Sequence, residues 1–93
     1  MIRYREILGK KLRLLREIYS ETHSENLTQE QLGIILGYKS NSAISLIECG
    51  RRGMLQDKIV QAAKVLGVNP IVLLSDRDMS KDELECCVYW KKR

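Results

Sequence analysis

Positively charged side chains are the most numerous groups in this sequence that could bind a ligand, and they are unevenly distributed. Residues 1–16 carry six basic side chains and one acid, residues 17–36 carry four acids and no Lys or Arg, and residues 37–64 carry five basic side chains and two acids. Residues 65–93 carry five of each, so the net charge is +4. Positive charge gathered in two separate stretches is typical of a surface that contacts phosphate groups.

Residue types suited to catalysis or metal binding are sparse. The chain contains one histidine, His23, which we expect to be exposed in a loop, and three cysteines, of which Cys86 and Cys87 are adjacent. These residues form no nucleophile–base arrangement and no zinc-ligand spacing. We therefore expect no catalytic residue, no metal site and no cofactor. We expect the cysteines to be reduced and to pack as small hydrophobic side chains.

The segment Leu27–Gly50 must provide the elements that position any binding side chains, and its pattern predicts two short helices joined by a tight turn. Thr28, with Gln31 three residues later, forms a capping box that starts the first helix, Gln29–Leu36. Gly37 is placed to end this helix in a left-handed conformation.

A second helix, about Asn41–Cys49, is predicted after a cap at Ser40 or Asn41, and Gly50 supplies its stop signal. Its two faces differ as expected of a helix that is half buried. Two short helices joined in this way form a helix-turn-helix, whose second helix can lie in a DNA major groove. The apolar face holds Ala43, Ile44 and Ile47, and the other face holds Ser42, Ser45, Leu46 and Cys49.

This segment resembles the Cro/C1-type (XRE-like) helix-turn-helix family of bacterial and phage regulators, and the resemblance extends over about Ile7 to Leu74. It implies an all-α, five-helix lambda-repressor-like DNA-binding domain, here with an added C-terminal helix. In that family a small residue, here Gly33, lies where the two helices cross. The turn from Gly37 to Ile44 is one residue longer than is usual in the family. The positions that carry the resemblance are Gln29, Leu32, Gly33, Gly37, Ser42, Ala43, Ile44, Ser45, Ile47, Glu48 and Gly50.

The resemblance also implies which side chains contact DNA. Gln29 and the basic loop Arg51-Arg52 would contact the sugar–phosphate backbone, and the second helix would present its polar face to the bases. Asparagine can bond to adenine, serine to several base edges, and leucine can contact a thymine methyl group. Capping of the helix is the alternative role for Asn41 and Ser42. The full expected set is Gln29, Lys39, Ser40, Asn41, Ser42, Ser45, Leu46, Arg51 and Arg52.

A structural ion pair between Arg16 and Glu48 is a further implication of the resemblance. Arg16 lies four residues after Leu12, a predicted core position of the first helix of the chain. The guanidinium group can donate two parallel hydrogen bonds to a carboxylate. We interpret the pair as a structural contact that holds this helix against the second helix of the helix-turn-helix.

Periodicity predicts further helices on either side of this segment. Residues 3–19 form the first, with Leu8, Leu12, Leu15 and Ile18 or Tyr19 on its apolar face and with Lys10 and Lys11 on solvent-facing sides. A polar connection, 20–27, follows, either as a flexible loop or with the first helix running on through Glu21. After the helix-turn-helix come helices at about Leu55–Leu66, ended by Gly67, and at Pro70–Leu74, capped by Asn69.

A last helix is expected after the capping box of Ser80 and Glu83, and it carries Leu84, Cys87 and Val88 with Trp90 nearby. It either folds back on the domain or pairs with a second subunit. We divide the chain into a helix-turn-helix domain, residues 1–75, and a C-terminal helical extension, residues 76–93.

Together these patterns favour a sequence-specific transcriptional regulator, more specifically a repressor, that binds double-stranded DNA as a homodimer on a pseudo-palindromic operator. The alternative is an antitoxin or protein-interaction module that binds a protein partner through the C-terminal helix. An enzyme is the least supported class. No apolar run approaches the ~20 residues of a membrane span and no secretory signal is present, so we expect a cytoplasmic protein.

Overall fold

The structure of this protein is a computed structural model that describes residues 4–23, 25–40 and 42–89. This part of the chain contains six α-helices and no β-strand. The predicted all-α class is therefore confirmed. None of these helices is both long enough and apolar enough to cross a bilayer. In chain order they are α1 (Tyr4–His23), α2 (Gln29–Ile35), α3 (Ala43–Glu48), α4 (Gln56–Leu66), α5 (Pro70–Leu74) and α6 (Lys81–Glu85).

α1 is the central element, because α3, α4, α5 and α6 all pack against it. Its predicted apolar face is confirmed, since Leu8, Leu12, Leu15 and Ile18 are all buried. Of the two alternatives for its end, the structure favours the longer helix, and α1 continues beyond Glu21 to His23, so it replaces the first part of the expected polar connection. His23 is exposed, as expected, but it lies in this last turn with its ring stacked on Tyr19.

α4 and α5 close the core with the caps that the sequence predicts. Gly67 ends α4 with φ of +78°, and the Asn69 side chain accepts a hydrogen bond of 3.0 Å from the Ile71 N–H at the start of α5. Within α5, Leu73 is fully buried whereas Ile71 is 62% exposed. The apolar run of α5 therefore supplies both a core residue and an exposed one.

α6 folds back on the domain, which is the first of the two arrangements left open by the sequence. Its capping box of Ser80 and Glu83 is present, and Leu84 and Val88 are buried in the same core as the α1 leucines. The prediction that the helix includes Cys87 and Val88 is wrong, because α6 ends at Glu85 and these two residues follow it. At the end of this segment the Tyr89 N–H donates a 2.8 Å hydrogen bond to the Gly67 carbonyl. Trp90 and residues 91–93 lie outside the described residues.

Lys11 is the main departure from the predicted pattern of α1, because it is fully buried instead of facing solvent. Its ammonium group donates hydrogen bonds of 2.8 Å and 3.0 Å to the carbonyls of Val72 and Ser75 at the end of α5. Burial lowers the pKa of Lys11 from its ordinary value, an effect that the nearby Asp78 and Asp76 oppose. A basic residue of α1 thus caps the last turn of α5.

Gly9 allows α1 and α3 to approach closely. A Cβ atom at Gly9 would lie 2.3 Å from the Ile47 carbonyl oxygen and 2.8 Å from that of Glu48, and both neighbours are backbone atoms that cannot rotate away. Gly33, the small residue expected at a helix crossing, is buried as well. A Cβ atom at Gly33 would lie 3.5 Å from Ile44 Cγ1, which is an ordinary contact. The position that sterically requires glycine is therefore Gly9.

We predict that Gly9→Ala lowers the free energy of unfolding by about 3 kcal/mol, because the new methyl group must push α3 away from α1. Gly33→Ala is the matched control, and it should leave stability unchanged or raise it by up to about 1 kcal/mol through its higher helix propensity. Urea unfolding of both variants measures the difference. Equal stability of Gly9→Ala and the unsubstituted protein would show that the two helices do not approach as described.

Lys10 and Lys11 should respond differently to the same substitution. Lys11→Met keeps an apolar side chain of similar length but leaves the Val72 and Ser75 carbonyls without their donor, so stability should fall by about 1–2 kcal/mol. Lys10 pairs with Asp78 at the exposed surface, and Lys10→Met should change the thermal midpoint little. A Lys11→Met variant at least as stable as the unsubstituted protein would mean that desolvation of the ammonium group outweighs its hydrogen bonds.

Candidate nucleic-acid interface

The first half of the helix-turn-helix has the local structure predicted from its residues. Thr28 Oγ1 accepts a 3.1 Å hydrogen bond from the Gln31 N–H, and the Gln31 side chain accepts one of 3.3 Å from the Thr28 N–H. Gly37 has φ of +84°, the left-handed conformation expected after a helix. α2 ends at Ile35, one residue before the predicted end, and Leu36 is the C-cap, whose N–H still bonds to the Leu32 carbonyl. The predicted capping box and glycine stop are confirmed.

The start of α3 differs from the prediction. Ser42 is its N-cap in place of Ser40 or Asn41, and the Ser42 side chain makes no capping hydrogen bond. Instead the Ser40 hydroxyl accepts a 3.2 Å bond from the Ser42 N–H and lies 2.9 Å from the Ser42 hydroxyl. Ser40 and Ser42 thus form a local serine turn immediately before the helix. Asn41 lies outside the described residues, so its DNA-binding role stays a prediction.

α3 divides into the two faces that its sequence predicts. Ala43, Ile44 and Ile47 are buried, and α1 and α2 both pack against the helix. On the opposite side Leu46 is exposed and Ser45 is half-buried. Ser42, which precedes the helix, is exposed as well. The helix therefore presents Ser45 and the apolar Leu46 to solvent, with Ser42 just before them, while its buried side holds it in the core.

The expected ion pair between Arg16 and Glu48 is present, and it belongs to a larger network. Arg16 Nε lies 2.8 Å from Glu48 Oε2, and Arg16 Nη2 lies 3.1 Å from Glu48 Oε1. Arg16 also donates a 3.1 Å bond to the Leu27 carbonyl before α2. The Gln29 amide, which the resemblance assigns to a DNA phosphate, donates a 2.8 Å bond to Glu48 Oε1. This network joins α1, α2 and α3 through one carboxylate that is only 3% exposed.

The cations predicted to contact phosphate lie in the turn before α3 and in the loop after it. Gly50 has φ of +79°, and the Arg51 N–H donates a 3.0 Å bond to the Leu46 carbonyl, so the loop leaves the helix by a defined turn. Lys39, Arg51 and Arg52 are exposed. Within the part of the chain that the structure describes, none of these three forms an ion pair with a carboxylate. Their charges are therefore available to an external anion.

Two residues that the sequence did not single out lie beside these cations. The ring of Tyr38, in the turn, lies 5.2 Å from Arg52 Cζ and 5.5 Å from Lys58 Nζ. Lys58, in the first turn of α4, also donates a hydrogen bond to the Leu36 carbonyl. Burial raises the pKa of the Tyr38 phenol, which Arg52 opposes and Asp57 reinforces. No periodicity or motif could have indicated Lys58, because the contact joins residues of separate elements.

The thiols depart in part from the expected packing. Cys49 and Cys86 are exposed, and only Cys87 is half-buried, with its Sγ 3.4 Å from the Glu83 carbonyl oxygen. All three are free. Cys49 and Cys86 occupy C-cap positions of α3 and α6. The expectation that the cysteines pack as hydrophobic side chains is therefore wrong for these two.

An open, mainly apolar groove of about 630 Å³ lies beside α2. Ile34 and Ile35, which are 69% and 55% exposed, form one part of it. The groove occurs in the stretch 17–36, which contains acids but no Lys or Arg. The groove is thus apolar and lies in an acidic stretch of the chain, whereas the turn and the loop beside α3 carry positive charge. Its other lining residues are Tyr19, Glu25, Asn26, Leu27 and Gln31.

Comparisons with known proteins identify no relative, since no family model, no curated protein and no solved structure matches this chain. A functional assignment must therefore be argued from the residues and contacts of the chain itself. All the residues predicted to contact DNA, apart from Asn41, lie in α2, the turn, α3 and the loop after it. They form one continuous stretch of sequence around the helix that the Arg16–Glu48 network holds.

We predict that Arg16→Ala and Glu48→Ala each lower the free energy of unfolding by about 3 kcal/mol. Arg16→Ala should cost at least as much, because it leaves a buried carboxylate without its counterion, whereas Arg16 is 15% exposed and can reach water when Glu48 is removed. The double variant should lose less than the sum of the two.

Arg13→Ala is the matched control for this cycle, since Arg13 is exposed on the same helix and its loss should cost no more than about 0.5 kcal/mol. Chemical denaturation of the four variants provides the comparison. Strictly additive losses would show that the two side chains do not stabilise each other.

Proposed function

We propose that this chain is a sequence-specific DNA-binding transcriptional regulator, more specifically a repressor, with a lambda-repressor-like helix-turn-helix domain of the Cro/C1 type. The observation that carries the proposal is the arrangement of α3. Its apolar face is held against α1 and α2, while its polar face is exposed between a turn and a loop whose cations lack carboxylate partners in the described chain. This combination of a presented helix and flanking positive charge suits a DNA groove bordered by phosphates.

In this proposal the exposed side of α3 contacts base edges in the major groove. Ser42 and Ser45 can donate or accept hydrogen bonds, and Leu46 can contact a thymine methyl group. Asn41, by resemblance, would add an adenine contact. These short side chains discriminate bases less strongly than arginine or glutamine would. Sequence-dependent DNA shape should therefore contribute to specificity.

Contacts to the sugar–phosphate backbone would come from the turn, the loop and the start of α2. Lys39, Arg51 and Arg52 supply charge, and the Ser40 hydroxyl supplies a neutral donor. The Gln29 amide carries two N–H donors, of which one is directed to Glu48, so the second can still reach a phosphate oxygen. The internal contact of Gln29 is thus compatible with the role that the resemblance assigns to it.

We further propose that the regulator acts as a homodimer. Each α3 would enter the major groove of one half-site, with half-site centres about 34 Å apart along the duplex. A two-fold dimer requires a pseudo-palindromic operator. Ile71, the exposed residue of α5, is the side chain that we expect a second subunit to cover. Occupation of a promoter by such a dimer would regulate transcription sterically and requires no catalytic residue, metal or cofactor.

A protein-interaction module is the second candidate, and the exposed Ile34 and Ile35 are the observation that favours it. Adjacent apolar side chains exposed over a groove are typical of a contact surface. The two candidates differ in the residues that they require. The DNA-binding proposal needs Arg51 and Arg52, whereas the protein-binding alternative needs the isoleucines.

We predict that replacing both Arg51 and Arg52 by Ala weakens binding to DNA duplexes of any sequence. The plot of log affinity against log salt has a negative slope, and its magnitude should fall by about 1.8, because each lost phosphate contact removes about 0.9. Fluorescence anisotropy with a mixed-sequence duplex at several salt concentrations measures both quantities. Ser45→Ala should instead alter the preference among sequences and leave the salt slope unchanged.

A double variant of Lys64 and Arg77, replaced by Ala, removes the same charge from other exposed positions and serves as the control. It should keep nearly the full salt slope. Unchanged affinity and slope in the Arg51 and Arg52 variant would contradict the assignment of this loop to the DNA backbone.

A further inference from the structure

The ring of Tyr38 brings together two cations from different elements. Arg52 belongs to the loop after α3, and Lys58 belongs to α4, yet both charged groups lie within 5.5 Å of the ring centroid. This is the distance range in which a cation is attracted by the face of an aromatic ring. Neither cation forms an ion pair with a carboxylate anywhere in the described residues.

Lys58 is held at this position by the turn. Its ammonium group donates a hydrogen bond to the Leu36 carbonyl at the end of α2, where the helix dipole places partial negative charge. It also lies beside Gly37, where a Cβ atom would be 3.2 Å from Lys58 Nζ. The contact fastens α4 to the turn and directs a positive charge towards the phenol ring of Tyr38.

Asp57 is an acid close enough to affect the Tyr38 phenol. Its Oδ1 atom accepts a 3.0 Å hydrogen bond from the Lys58 N–H, and within the described residues it forms no ion pair with Arg52 or Lys58. Two positive charges beside one ring, neither in an ion pair with a described carboxylate, make this part of the surface attractive to an external anion. On the surface proposed to face DNA, that anion is a phosphodiester group.

We propose that Tyr38, Arg52 and Lys58 form a phosphodiester-binding site, in which Tyr38 is a positioning residue for the Arg52 guanidinium and Lys58 extends the DNA-contacting surface to α4. The inference rests on the proposed DNA-binding function and adds to it a phosphate contact outside the helix-turn-helix. In this proposal the turn between α2 and α3 contributes to DNA binding, because it contains Tyr38, whose ring lies beside both cations.

The contribution of Lys58 is tested by the salt dependence of binding to a mixed-sequence duplex. Lys58→Gln should lower the slope of log affinity against log salt by about 0.9, as expected for one lost phosphate contact. Lys64→Gln is the matched control on the same helix, and it should leave the slope unchanged. A Lys58→Gln slope equal to that of the unsubstituted protein would overturn the assignment of Lys58.

The positioning role of Tyr38 is tested by a double-mutant cycle with Arg52→Gln. Tyr38→Leu should weaken DNA binding about threefold when Arg52 is present and have little effect when Arg52 is replaced. Tyr38→Phe, which keeps the ring, should bind as the unsubstituted protein does. An equal loss in both Arg52 backgrounds, or a loss in Tyr38→Phe as large as in Tyr38→Leu, would overturn the positioning role.

Thermal unfolding of each variant identifies any that fail to fold, and Tyr38→Phe and Lys58→Gln keep the test decisive if Tyr38→Leu is one of them. DNA binding by the unsubstituted protein distinguishes failure of the proposed DNA-binding function from failure of the proposed phosphodiester site. If it binds no duplex at low salt, the DNA-binding function fails and this site fails with it. If it binds with a steep salt slope that neither Lys58→Gln nor Arg52→Gln changes, the function stands and the site is wrong.

Discussion

The buried carboxylate of Glu48 is the constraint on which the arrangement of the helices depends. A charged group that is only 3% exposed is costly unless it is paired and hydrogen-bonded, and Glu48 accepts three bonds, two from Arg16 and one from Gln29. Because these donors lie on α1 and at the start of α2, satisfying the carboxylate fixes α3 relative to both helices. The orientation of the face proposed to contact DNA is thereby coupled to the stability of the core.

Local features of the fold were predictable because their physical causes lie within a few residues of sequence. The capping box at Thr28, the left-handed Gly37 and Gly67, and the two faces of α3 all follow from hydrogen bonding or periodicity inside one element. The pairing of Arg16 with Glu48 joins distant residues, and it was predicted only because the sequence resembles a family in which the pair occurs. The number and order of the helices could thus be predicted, whereas the ends of α1 and α6 could not, since α1 runs on to His23 and α6 stops at Glu85.

Contacts between separate elements without such a resemblance could not be predicted. Helical periodicity places Lys11 between Leu15 and Ile18 on the buried face of α1 and Lys10 on the opposite side, but the carbonyl groups of α5 that bind the Lys11 ammonium group could not be read from this pattern. The requirement for glycine at Gly9 arises from the backbone of α3, which is far away in sequence. Lys58 joins the candidate site for the same reason, since its contacts are with the turn. The predicted site therefore included the residues of the helix-turn-helix itself and missed those that other helices contribute.

In-vitro selection from a random duplex library tests most directly whether α3 recognises a DNA sequence. It should be carried out with the folded protein at about physiological ionic strength, where non-specific binding is weak. We predict enrichment of a symmetric motif whose two half-sites are centred about one helical turn apart, as expected of a dimer that places two copies of α3 in successive major grooves. A selected pool with no sequence preference over the starting library would contradict the proposed function.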